Sequence, residues 1–186
     1  IQFTLQLSRT AEFTLQFRIP GWAEGATLRV NKKKAVLAAA GSFAMVQAVW
    51  KSGDVIALDL PMKLRAETRY NHAVAIYRGP LAFSLRIGES YRKLKTHHEK
   101  LPVVDWEITP TTPWNFGLIL NRERPEQSIK VATRKPGQKP FSNETAPVVL
   151  TVKGRALPDW KLVDHSSGET PGSPATSDRP VTQLEL

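Results

Sequence analysis

Four histidines, 17 carboxylates and five tryptophans are the side chains best placed to do chemistry, and there is no cysteine to join them. The missing cysteine excludes disulfides, thiolate nucleophiles and cysteine-ligated metals from these 186 residues. His97 and His98 are adjacent, so on a strand they face opposite sides. That reads as a surface pair, not as the clustered ligands a metal requires. His72 follows Asn71 in a turn, and His165 sits beside Asp164 next to a polar loop. Asp105 and Glu107 flank Trp106 and would share one strand face, the outline of a sugar subsite with two carboxylates. Carboxylates two apart on an exposed strand are also common, and no partner acid with a raised pKa is visible, so a solvated face is the reading kept. Trp22, Trp50, Trp106, Trp114 and Trp160 include possible sugar platforms, yet their large area makes core or interface packing the default. Asn143-Glu144-Thr145 is a glycosylation sequon whose use depends on the source. No nucleophile elbow, zinc-protease helix, phosphate loop or dinucleotide fingerprint occurs. The expectation is therefore no catalytic, cofactor-binding or metal-ligating residue in this chain.

Charge points weakly outward. Lys and Arg number 26 against 17 Asp and Glu, a net charge of +9. Their densest run is Lys32-Lys33-Lys34, with a second group at Arg92, Lys93 and Lys95. Few of the aromatics lie beside them as stacking platforms would, so a solvated basic surface is expected and nucleic-acid binding is not favoured. No apolar run approaches the roughly 20 residues of a membrane span. No signal peptide is visible at Ile1. Strand-like sequence begins at once and also occupies Val181–Leu186, so a fragment cut inside structure at one or both ends is expected.

The elements that must position these residues read as strands. Ile1–Leu7 and Glu12–Ile19 alternate apolar and polar residues, and their short connector predicts a hairpin or neighbouring pair. Pro20-Gly21 ends the second of them. Ala26–Val30 and Ala35–Ala38 read as a small hairpin around Asn31. Phe43–Trp50, a turn at Lys51–Asp54, and Val55–Leu60 follow. Leu64–Tyr70 is mixed, Ala73–Tyr77 is a short apolar strand, and Leu81–Ile87 comes after the Gly79-Pro80 break. Beyond Gly88 the texture changes: Glu89–Leu101 is polar and basic. Strands are expected at Val103–Ile108, Trp114–Leu120, Ser128–Thr133, Val148–Val152 and Leu157–Val163, with an exposed linker at Ser166–Pro180. Strand after strand at 8–12-residue spacing marks a sandwich or barrel.

Several segments together resemble one family. Phe17-Arg18-Ile19-Pro20-Gly21-Trp22 resembles the LRIPGWA stretch of β-L-arabinofuranosidase-like glycoside hydrolases, family 127 and relatives. Val30-Asn31 is similar to their Val-Asn-Gly, with Lys32 in place of the glycine. Trp50-Lys51-Ser52-Gly53-Asp54 is similar to W-x-x-G-D, Leu60-Pro61-Met62 to LPM, and Val74–Leu81 to VAxxRGPL. Asp105-Trp106-Glu107 with Thr112–Leu118 resembles a W-E…TPWNYGL stretch. Each segment is short, but they come in order over nearly the whole chain.

The resemblance implies the C-terminal β-sandwich region of such an enzyme, in which one sandwich is interrupted by a second. The expected fold is thus all-β, two antiparallel β-sandwiches, the second inserted before the last strand of the first. The first would comprise 1–87 plus 181–186 and the second 88–180, with a flexible loop at 166–180. The implied family chemistry uses a cysteine nucleophile, a carboxylate acid/base and a zinc held largely by cysteines. All of it belongs to an N-terminal helical barrel, and no position here matches it. The implied role is a non-catalytic accessory region that packs against that barrel in a parent glycoside hydrolase acting on arabinofuranoside-type glycans. The family also favours a bacterial periplasmic or secreted setting. Two other readings stay open: a carbohydrate-binding module using exposed tryptophans, and a basic nucleic-acid-binding domain. The partner expected is the catalytic domain, with glycan as a further candidate and without nucleic acid or membrane.

Overall fold

The computed structural model describes residues 1–96, 103–140 and 142–186. The His97-His98 pair lies outside the described residues. Over the described residues the fold is all-β, its sheets antiparallel, with two short 3₁₀ turns at Tyr70–His72 and Pro125–Gln127. Two compact units divide the chain: Ile1–Leu64 with Tyr77–Leu81, and Arg65–Ile76 with Ala82–Leu186.

The first unit holds β1 (Gln2–Thr4), β2 (Ala11–Arg18), β3 (Thr27–Val30), β4 (Val36–Leu37), β5 (Phe43–Trp50) and β6 (Val55–Asp59). One sheet runs β1-β6-β3-β4 and the other pairs β2 with β5. Alternation works as read: Phe13, Leu15 and Phe17 turn inward from β2 while Glu12, Thr14, Gln16 and Arg18 stay exposed. They meet Leu28 of β3, Ile56 and Leu58 of β6 and Trp50 of β5 in one core, joined by Ile19, Ala23 and Ala26. Burying a side chain such as Ile56 contributes about 1.5–3 kcal/mol. The whole range of strand propensities spans about 1 kcal/mol. Packing of the inward face, not propensity, therefore holds Ala44 and Ala48 in β5.

The hairpin around Asn31 forms, with Thr27 opposite Leu37 and Leu28 opposite Val36. The expected pairing of the first two strands does not. β1 pairs with β6, and β2 with β5 along its full length. The short connector Ser8–Thr10 leads from one sheet to the other. A period of two fixes which face of a strand is buried but not its partner.

β7 (Leu64–Thr68), β8 (Val74–Arg78) and β9 (Leu81–Phe83) form a three-stranded sheet. The second unit continues with β10 (Glu89–Thr96), β11 (Val104–Pro110), β12 (Phe116–Ile119), β13 (Lys130–Thr133), β14 (Val148–Ala156), β15 (Leu162–Val163), β16 (Ser166–Ser167) and β17 (Val181–Glu185). β14 is the organising strand: β13 pairs with Val148–Thr151, β12 with Lys153–Ala156, and β17 with Thr151–Arg155. Its inward residues Leu150 and Val152 are buried together with Ile129, Leu157 and Leu184.

Further expectations differ from the structure. Val181–Glu185 is a strand, but its partner is β14 of the second unit, not a strand of the first. Leu184 lies on the strand's buried face, opposite Val152, and the choice of partner comes from the available edge of β14. The polar and basic run after Gly88 forms a strand over most of its length: β10 pairs with β11 from Glu89↔Pro110 to Thr96↔Val104. Its Arg92 and Lys93 find cross-strand partners in Glu107 and Trp106, a stabilisation that local hydropathy does not reveal. The segment read as an exposed linker contains β16, and Thr170, Pro171, Ser173 and Ala175 are half-buried. Leu157–Val163 is mostly a turn, with a strand only at Leu162–Val163.

Candidate functional site

The segments that carry the family resemblance meet as structural joints. Trp50 is 1% exposed, ends β5, and its Nε1 donates to the Phe13 carbonyl at 2.9 Å. The turn that follows places Gly53 at φ +90°, and the buried Asp54 accepts the Lys51 N–H at 2.9 Å through Oδ2. Asp54 Oδ1 accepts from Asn31 Nδ2 at 3.0 Å, and Asn31 Oδ1 in turn accepts the Val55 N–H at 2.8 Å. The Val-Asn and W-x-x-G-D segments are thus one hydrogen-bonded unit that ties the β3–β4 turn to the start of β6. Donation from the Lys51 main chain, then from Asn31, holds the Asp54 carboxyl below its ordinary range.

A second joint links LPM to RGP. Gly79 sits at φ +56°, and a Cβ there would lie 2.6 Å from Cγ of Met62. Its N–H donates to the Lys63 carbonyl at 3.2 Å. Asn115 of the TPWN segment makes a third joint, donating from Nδ2 to the carbonyls of Leu157 at 2.9 Å and Trp160 at 3.1 Å. The one carboxylate among these groups, Asp54, is committed to the Lys51 N–H and to Asn31, and the joints close turns.

The carboxylate pair around Trp106 does not come together as a reactive site. Arg92 grips Glu107 with two hydrogen bonds, Nε to Oε2 at 2.7 Å and Nη2 to Oε1 at 2.9 Å. That bond pushes the Glu107 carboxyl down, the opposite of what a general acid needs. Trp106 is 53% exposed and meets the Tyr91 ring edge-on at 6.2 Å. It is the one exposed tryptophan of the five, since Trp22, Trp114 and Trp160 are half-buried. His72 and His165 lie in turns at positive φ, 58° and 64°. Among the described residues no three His, Cys, Asp or Glu side chains are grouped to hold a metal. With no cysteine in the chain, these residues do not fit the cysteine-held zinc that the resemblance implies. Among the described residues no helix is long and apolar enough to cross a membrane.

Two surfaces remain as candidates for function. On the first unit, the outward face of β5 carries Phe43, Met45 and Val49, which are 60%, 67% and 65% exposed, with Gln47 between the last two donating to Glu12. Phe43, Met45 and Val49 stand opposite Arg18, Gln16 and Glu12 of β2. On the second unit, a cavity of about 550 Å³ is lined by His72, Phe83, Trp114, Phe116 and Trp160 among others. Trp114 and Trp160 pack edge to face with centroids 5.0 Å apart, and Trp160 Nε1 donates to the Gly168 carbonyl at 3.0 Å. The wall is completed by the segment from Thr170 to Ala175. Asn71 secures it, donating from Nδ2 to the Thr170 carbonyl at 2.8 Å and accepting the Ser173 N–H at 2.8 Å. The lining residues lie between positions 72 and 186, so no local motif announces the cavity.

The chain is thus of an all-β class whose shared segments serve as structural joints. Residues 1–62 match the family model described as beta-L-arabinofuranosidase, GH127 middle domain. Among solved structures, a GH127 beta-L-arabinofuranosidase from Geobacillus stearothermophilus T6 is similar over 99% of this chain and 25% of its own, at 21% identity and TM-score 0.57. A chain described as a glycoside hydrolase is matched over 100% of this chain and 26% of its own, at 21% identity and TM-score 0.47. A comparison with curated proteins gives no match. Residues 1–62 are therefore similar to the GH127 middle domain. The chain spans about a quarter of the length of these solved chains.

Proposed function

We propose that this chain is a non-catalytic accessory β-region of a glycoside hydrolase acting on arabinofuranoside-type glycans, and that it packs against and stabilises a helical catalytic barrel. The match of residues 1–62 to the GH127 middle domain carries the reading. The share of the similar solved chain that is covered, 25%, leaves room there for a separate catalytic domain. The outward face of β5 supplies a surface for such a contact. Phe43, Met45 and Val49 expose apolar area of the kind that marks a protein interaction site. Cysteine-based nucleophilic chemistry and its zinc fall to the barrel on this reading, and this chain contributes position and stability.

The test is association. A GH127 helical barrel domain, produced separately from the parent protein, is mixed with this chain and followed by co-elution and calorimetry. Binding is expected, with a higher melting temperature for the barrel. Met45→Lys with Val49→Lys is expected to abolish binding while leaving the chain's own melting temperature nearly unchanged, because both side chains already face water and Lys at 49 would stand opposite Glu12. No association with the wild-type chain, or association unaffected by the double substitution, overturns the assignment of this face.

A further inference from the structure

We propose that the cavity of the second unit is a binding site for a small carboxylate carried on a flat apolar ring. Its volume, about 550 Å³, is that of a small-molecule site, and its walls are largely aromatic and aliphatic. Trp114, Trp160, Phe83 and Phe116 supply flat apolar surface.

The polar groups select the charge. The lining side chains that can hydrogen-bond include His72, Ser84, Arg122, Thr170 and Ser173, and no Asp, Glu, Asn or Gln is among the lining residues. A neutral sugar presents many hydroxyl donors and is usually met by amide or carboxylate acceptors, which this wall lacks. Arg122 is donor-only and always charged, and a carboxylate is acceptor-only, so the two are complementary. Arg122 is oriented by a hydrogen bond from Nη2 to the Thr68 hydroxyl. Leu186, which also lines the cavity, has its main chain committed to Leu150 through a reciprocal pair of bonds at 2.9 Å.

The site is also held in shape. Asn71 and His72 are both in the left-handed region, at φ 50° and 58°, which is uncommon for residues other than glycine. Tyr70 Oη donates to Glu169 Oε1 at 2.6 Å, and Asn71 bonds both Thr170 and Ser173. These contacts fix the cavity rim on two sides, from the Tyr70–His72 turn and from the segment around Thr170. Backbone held in sparsely populated conformations concentrates at ligand sites.

The experiment titrates the full 186-residue chain with cinnamate, its methyl ester and L-arabinose, by calorimetry and by the indole N–H resonances of the tryptophans. Cinnamate is expected to bind saturably and to shift the Trp114 and Trp160 signals. The ester removes the charge and keeps the ring, and it is expected to bind at least about tenfold more weakly. Arg122→Gln is expected to weaken cinnamate by a similar factor, Arg122→Lys by less, and Arg124→Gln, outside the cavity lining, not at all. Melting curves establish that each variant is folded, and the acid-to-ester comparison needs no variant. Equal binding of acid and ester, undiminished binding by a folded Arg122→Gln chain, or binding of arabinose without cinnamate overturns the proposal. So does the absence of saturable cinnamate binding. Barrel association through β5 is measured separately, so either reading can fail alone.

Discussion

Gly53 sits at φ +90° in the turn between β5 and β6, with open space around it. A side chain there meets no neighbour, so the cost of adding one is that of the backbone alone. A β-branched residue in the left-handed region is a conformational outlier. Gly53→Val is expected to lose about 1–3 kcal/mol, seen as a lower urea midpoint with an unchanged slope. Asp54 makes a prediction of a different kind. Its carboxyl is held below the ordinary 3.8 by the Lys51 N–H and by Asn31. A carboxylate with a depressed folded value stabilises the fold above its unfolded pKa and loses that contribution as pH falls through the folded value. Asp54→Asn is therefore expected to be less stable than wild type near neutral pH. The gap should begin to close below about pH 4, where the unfolded chain takes up its proton, and should be gone only below the lower folded value, where the native carboxyl is protonated as well. Urea midpoints of both chains across that range check it, and a gap that is constant with pH overturns the role of the charge.

At the scale of elements, β14 is where most of the second unit is joined. It pairs with β12, β13 and β17, and Leu184 of β17 is buried opposite Val152. Leu184→Ala is expected to cost about 2–5 kcal/mol, the range for removing a buried leucine. Deleting 181–186 is expected to loosen amide protection in β14 and to leave β2 unchanged, as hydrogen exchange would show. Loosened protection in β2 with β14 intact would reverse this and restore the expected return of the last strand to the first unit. Legibility at this scale was uneven for a physical reason. β2 and β5 alternate cleanly because one face meets a core and the other meets water. β10 carries Arg92, Lys93 and Lys95 and is a strand through cross-strand partners, which are distant in sequence.

For the whole molecule, the accessory reading makes an expectation about activity. The purified chain is expected to release no arabinose from arabinofuranosides and to show no zinc-dependent rise in melting temperature. Structural zinc that a protein does bind couples directly to its folding free energy, so a site would be visible in the melt. Turnover that survives repurification, or a clear shift with zinc, overturns it.

By itself the sequence determined the all-β class, the exclusion of cysteine chemistry, the turn at Lys51–Asp54 and the small hairpin around Asn31. These follow from local rules: side-chain alternation, the φ that only glycine adopts cheaply, and the simple absence of a residue type. Tertiary structure decided which strands pair, that β17 lies against β14, and that Glu107 is held by Arg92. It also decided that residues from His72 to Leu186 close around one cavity. Partner choice and cavity formation depend on contacts between residues tens of positions apart. A periodic pattern reports which face is buried, and many different partners can bury it equally well.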